Sequence, residues 1–135
     1  MMAATPPHFS LTRKGAGLVF VSGQLAFADG GGSIRGDVAA QTLVCLTRIE
    51  KALKFEGLGP EAIRRCGCWL ADAQDYPEFN EAYARFFGTL PPPARTTLVA
   101  GFCVAGALVE IDAIAAHPDY VNARTWAALS EETAR

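Results

Sequence analysis

Two carboxylates interrupt the most apolar stretch of this 135-residue chain, in Val109-Glu110-Ile111-Asp112-Ala113. In a strand, residues two apart share a face, so Glu110 and Asp112 point away from Val109, Ile111 and Ala113. Carboxylates there need partners or water. They suit an exposed strand face, or a general acid/base or water-holding group in a cleft. Arg95 follows Pro91-Pro92-Pro93-Ala94 and begins a strand, so a stiff run aims its guanidinium. That planar, permanently charged fork suits a carboxylate ligand or a salt bridge at a strand end. Ser22, before Gly23, is a site hydroxyl or, more simply, a turn residue. No histidine is placed to activate it, which argues against serine-nucleophile chemistry. Asn80, beside Phe79 and Tyr83, is a site residue or a surface amide, and its spacing does not decide between them. Cys66-Gly67-Cys68 resembles half of a metal site but has no second pair, and His8 and His117 lie far off in sequence. No metal is expected. With no export signal at Met1 to Ser10, Cys45, Cys66, Cys68 and Cys103 are expected as buried, reduced thiols.

These residues need elements to position them. Leu18 to Ser22 has strand composition and ends at Gly23. Phe9 to Lys14 is its antiparallel partner across Gly15-Ala16-Gly17. A helix begins at Asp37, an N-cap residue, and runs through Val38, Gln41/Thr42, Cys45, Ile49 and Leu53 at helical steps to Gly57. Ile63 to Ala71 reads as a strand. A second helix starts near Asp75 or Tyr76, with Pro77 in its first turn, and ends at Gly88. Thr96 to Val104 and Ala107 to Ala116 read as two strands of a hairpin about Ala105-Gly106. In that hairpin Arg95 lies opposite Ala115 or Ala116, roughly 16–20 Å along the strand from Glu110. A same-chain ion pair between them is not expected. The order β-β-α-β-α-β-β implies an α+β layer with two helices on one face of a mainly antiparallel sheet. The other face still carries apolar side chains, which argues for an oligomer.

Half of the residues are apolar and 19% are charged, enough for a core and too apolar for a disordered chain. Twelve basic and fourteen acidic residues argue against a nucleic-acid module. The longest apolar run, Leu98 to Val109, is too short for a membrane span and holds two glycines. Gly30-Gly31-Gly32 lacks the spacing of a phosphate loop. No repeat or linker divides the chain, so one domain over 1–135 is expected. Within the extension 116–135, Pro118 to Leu129 is expected to form a short helix packed on the domain or on a neighbour.

Five segments in order add a resemblance: Phe20-Val21-Ser22-Gly23-Gln24; Gly36-Asp37-Val38-Ala39-Ala40-Gln41-Thr42; Phe79-Asn80 with Tyr83 and Phe86-Phe87; Pro93-Ala94-Arg95-Thr96-Thr97; and Val109 to Ala115. Together, over about residues 9 to 116, the chain resembles the reactive-intermediate deaminase (RidA-like, YjgF-like) family. The resemblance implies a chorismate-mutase-like protomer and a cytoplasmic homotrimer, its sheets forming a central barrel with clefts between subunits. It also implies hydrolysis of 2-imino or 2-enamino acids, such as 2-iminopropanoate and 2-iminobutanoate, to 2-oxo acids and ammonia, without metal or organic cofactor. Arg95 matches the carboxylate-binding arginine and Glu110 the glutamate that positions water. Ser22 and Asn80 match cleft-lining positions. Two positions depart from the pattern: Phe9 stands where active members usually have tyrosine, and Thr97 where they usually have cysteine. These departures keep a second reading in play, a non-catalytic regulatory trimer that binds a small carboxylate. An RNA-cleaving activity has also been attached to the family, and the acidic balance argues against it.

Overall fold

A computed structural model describes residues 5–117. Strand β1 (Thr12–Gly15) and strand β2 (Leu18–Gln24) form the expected antiparallel hairpin, with Gly15 opposite Leu18. Ala16 and Gly17 make its two-residue turn, both at positive φ (51° and 75°), as the twist of a tight hairpin requires. The strand begins at Thr12, so Phe9 to Leu11 stands outside it.

Helix α1 (Val38–Phe55) starts where Asp37 accepts a 2.8 Å hydrogen bond from the Ala40 amide. It ends at Gly57, which takes φ +73° while the Leu58 amide reaches back to the Leu53 carbonyl. Strand β3 (Ile63–Leu70) is followed by helix α2 (Tyr76–Phe87), which carries Pro at its start and closes on Gly88. Strands β4 (Ala94–Val99) and β5 (Val109–Ala116) complete a five-stranded sheet in the order β1-β2-β5-β3-β4.

The expected hairpin of the last two strands does not form. β5 enters between β2 and β3, antiparallel to both, and β4 lies outside β3, parallel to it. The reason is the α2 crossover, which returns the chain alongside β3 in the same direction and puts β4 on an edge. Meanwhile Val109, Ile111, Ala113 and Ala115, all 0–1% exposed, need the fully covered central place that β5 takes. Gly106 is not a hairpin residue: at φ +82° it lies against the Ile34 carbonyl, 2.9 Å from where a Cβ would stand. The strand expected to reach Val104 also stops at Val99.

Both helices cover one face of this mainly antiparallel sheet, over a core that includes Leu46, Ile49, Leu53 and Phe79. Cys45, Cys66 and Cys68 are buried in it, and burial pushes their thiols up to about 12, 11 and 12, so they are neutral packing groups. Cys103 departs from expectation and is exposed on the connection before β5. The other sheet face carries Phe20 (43% exposed) and Leu98 (56% exposed). No helix among the described residues is long and apolar enough to cross a membrane. The helix expected over Pro118 to Leu129 lies outside the described residues.

Candidate functional site

The sequence-selected residues fall into two groups, one on each side of the sheet. The first is built around Arg95. β4 pairs Arg95 with Cys66 and Thr97 with Cys68, so both point to the helix face. There Tyr76, Phe79, Asn80 and Tyr83, spaced by three and four on α2, form one surface. Arg95 Nη2 donates to Asn80 Oδ1 at 2.7 Å and to the Tyr76 hydroxyl at 3.3 Å. Its Cζ stands 5.9, 5.1 and 4.7 Å from the ring centroids of Tyr76, Phe79 and Tyr83. Among the described residues no carboxylate pairs with it. The guanidinium is thus held by neutral groups, with its charge available to an anion. Two residues along, the Thr97 hydroxyl is buried with no hydrogen-bond partner among the described residues.

The second group is built around Glu110. Val21 pairs with Ala113 and Gln24 with Ile111, so Ser22 and Gly23 together oppose Asp112. This β-bulge bends β2 and re-aims its residues. The Ser22 hydroxyl donates to the Ser10 carbonyl at 2.6 Å, and the Ser22 amide to the Leu11 carbonyl at 3.0 Å. Those bonds lay the segment after Phe9 (65% exposed) along the bulge. Ser22 is therefore the bulge residue that ties this segment down, not a free nucleophile.

Both carboxylates lie on the open face, as alternation requires, and each sits over a glycine. A Cβ on Gly23 would collide with Glu110 Oε1. A Cβ on Gly67 would stand 2.6 Å from Asp112 Oδ1, which accepts a 2.8 Å hydrogen bond from the Gly67 amide. Glu110 accepts no such bond among the described residues. Burial, and then the neighbouring Asp112 charge, hold its carboxyl above the usual carboxylate range.

The structure does not bring Arg95 and Glu110 of one chain together. The register anticipated from a hairpin is wrong: Arg95 is level with Ala113, not Ala115 or Ala116. The two residues stand about 10 Å apart along the strands and roughly two strand spacings, about 9–10 Å, across. They also project from opposite faces. The absence of a same-chain ion pair holds, for this different reason.

Sequence reasoning does not single out Tyr76 as a partner of Arg95, nor Phe79 and Tyr83 as rings against its guanidinium. The i, i+4 spacing of Tyr76 and Asn80 was the available signal. Gly23 and Gly67 were missed as seats for the carboxylates, because a seat is a cross-strand contact.

The model of the family described as "Endoribonuclease L-PSP" matches residues 3–117. Protein DfrA of Myxococcus xanthus is 35% identical over 114 residues, covering 83% of this chain and 86% of that protein. Reactive Intermediate Deaminase A, chloroplastic, of Arabidopsis thaliana is 33% identical over 114 residues, 84% of this chain and 60% of that one. Among solved structures, E. coli TdcF with bound serine superposes at TM-score 0.77 and 26% identity, covering 84% of this chain and 91% of its own.

Proposed function

The chain belongs to the endoribonuclease L-PSP family, also known as the YjgF/RidA family, and from that premise we propose that it hydrolyses reactive 2-imino and 2-enamino acids to 2-oxo acids and ammonia. The observation that carries this reading is the Arg95 guanidinium, fixed by Asn80 and Tyr76 over three rings with no acid paired to it among the described residues. Such a group binds a carboxylate in two-point fashion. A bound serine in TdcF, itself a small amino acid, is consistent with that ligand chemistry.

The iminium carbon is already electrophilic, so no covalent nucleophile is needed. Arg95 holds the carboxylate, and Glu110, in its ionised form, takes a proton from the attacking water. The proton then returns to nitrogen, the C–N bond of the tetrahedral carbinolamine breaks, and its hydroxyl proton passes by way of Glu110 to the departing ammonia, which leaves as ammonium. Positioning is the main contribution. Phe9, Ser22, Asn80 and Thr97 line the cleft.

Because clamp and base project from opposite faces of one chain, the proposal includes a homotrimer. In the order β1-β2-β5-β3-β4, Arg95 lies on the β4 edge, and the Ser22-Gly23 bulge lies toward the other edge. A cyclic assembly sets one edge of each protomer against the opposite edge of the next. It would cover Phe20 and Leu98 and place Arg95 of one protomer near Glu110 of another. Light scattering at micromolar concentration is expected to give three times the 14.3 kDa chain mass; a monomer would remove the basis for a shared site.

The test of the activity is a coupled assay. An amino-acid oxidase generates imines in situ, and 2-oxo acid release is measured with and without the protein across several side chains. No acceleration with any imine would favour the second reading, a trimer that binds a small carboxylate without turnover. The specific observation behind that alternative is the side chains at two cleft positions: Phe9 has no hydroxyl and Thr97 no thiol. RNA is disfavoured as the substrate by the excess of acidic residues. A cytoplasmic location goes with the proposal.

The glycine seat gives a further expectation. Gly23→Ala forces the Glu110 carboxylate off its place without touching Arg95. Turnover should fall by up to about 100-fold, the scale that an ångström of misplacement can reach. Binding of a 2-oxo acid, followed by calorimetry, should change little.

A further inference from the structure

Resting on the reading of Arg95 as the carboxylate clamp, the geometry points to a side-chain subsite beside it that selects 2-imino acids with bulky apolar side chains. A cleft of about 410 Å³ opens next to Arg95 and Asn80. That is within the range of clefts that take ligands much larger than a three-carbon acid, ~300–1,000 Å³. Beyond these two polar residues its walls are Tyr83, Ala84, Phe87, Leu90, Pro92 and Pro93. Among the described residues Arg95 is the sole charged one in this lining. A second carboxylate or an ammonium on the substrate would therefore lose its hydration there without gaining a partner.

The walls are built to keep their shape. Tyr83, Ala84 and Phe87 belong to one face of α2. Gly88, at φ +56°, turns the chain out of the helix, and two prolines with little conformational freedom close the far side. A ligand whose carboxylate meets the guanidinium can extend its side chain along these walls and away from the reacting carbon. The reaction itself balances as hydrolysis: water adds to C=N, the C–N bond breaks, and R–CO–COO⁻ and ammonium leave.

Ala84 is the position where this cleft can be narrowed most simply. It is exposed, on the helix surface, and its carbonyl caps Gly88 through the backbone alone. Ala84→Phe keeps the helix and fills the space. With the parent protein, kcat/KM for the leucine-derived imine is expected to exceed that for the alanine-derived imine by about tenfold or more. In Ala84→Phe that ratio should fall about tenfold, chiefly through KM. An unchanged ratio, with turnover retained, overturns the subsite and leaves the deaminase reading standing. Turnover of no imine defeats the deaminase reading, and the subsite is then decided by calorimetry with pyruvate and 4-methyl-2-oxopentanoate. Tighter binding of the longer acid, lost selectively in Ala84→Phe, supports it. Equal affinities, or binding of neither acid, overturns it.

Discussion

Arg95→Ala is expected to abolish imine turnover and to weaken 2-oxo acid binding by about 2–5 kcal/mol, roughly 30- to 5,000-fold. The magnitude follows from the surroundings of the guanidinium. Asn80, Tyr76 and three aromatic rings orient it, and no carboxylate competes for it among the described residues. Removing it leaves the ligand's charge against rings, the Asn80 amide and the Tyr76 hydroxyl, neutral groups that do not replace the charged two-point fork. The fold should survive, because Arg95 lies on an edge strand outside the buried cluster. Arg95→Lys keeps the charge but loses the planar fork and its stacking, so it should rescue little. The checks are the coupled assay, calorimetry with pyruvate, and far-ultraviolet circular dichroism for the fold. Near-normal activity in the alanine variant would mean that another group holds the carboxylate.

Glu110→Gln should separate the two halves of the mechanism. The amide keeps the size of the side chain above Gly23 but does not accept a proton at neutral pH. Hydrolysis should fall by about 10²–10⁴-fold, while 2-oxo acid binding at Arg95 stays near that of the parent. The pH dependence carries a sign. Burial and Asp112 hold the Glu110 carboxyl above its ordinary range. The base is active when ionised, so the rate should fall as pH drops through that raised value, at a higher pH than an exposed glutamate would give. Asp112→Asn removes the like charge and should move this acid limb to lower pH. A Gln variant as active as the parent, or an acid limb indifferent to Asp112, would exclude Glu110 as the base.

Local structure was legible wherever a residue acts through its own neighbours in the chain. Asp37 caps α1 because an aspartate oxygen reaches an amide three residues on, and Gly57 and Gly88 end helices because each takes positive φ. Alternation alone put Glu110 and Asp112 on the face away from Val109, Ile111 and Ala113, which is where they stand. Helical spacing put Asn80 beside Phe79 and Tyr83. Five short motifs together identified the family.

The succession of elements, and the face each side chain takes within its element, could thus be read along the chain. Which strands meet could not. Gly106 read as a hairpin turn, yet its positive φ serves a close approach to Ile34. The partners of β4 and β5 were settled instead by the crossover through α2 and by the demand of β5 for cover. From that pairing comes the separation of Arg95 from Glu110, and from cross-strand contact come the seats at Gly23 and Gly67. The physical reason is range. Caps, turns and alternation act over a few residues along the chain, whereas strand order minimises exposed apolar surface over the whole sheet, and no local pattern encodes that sum.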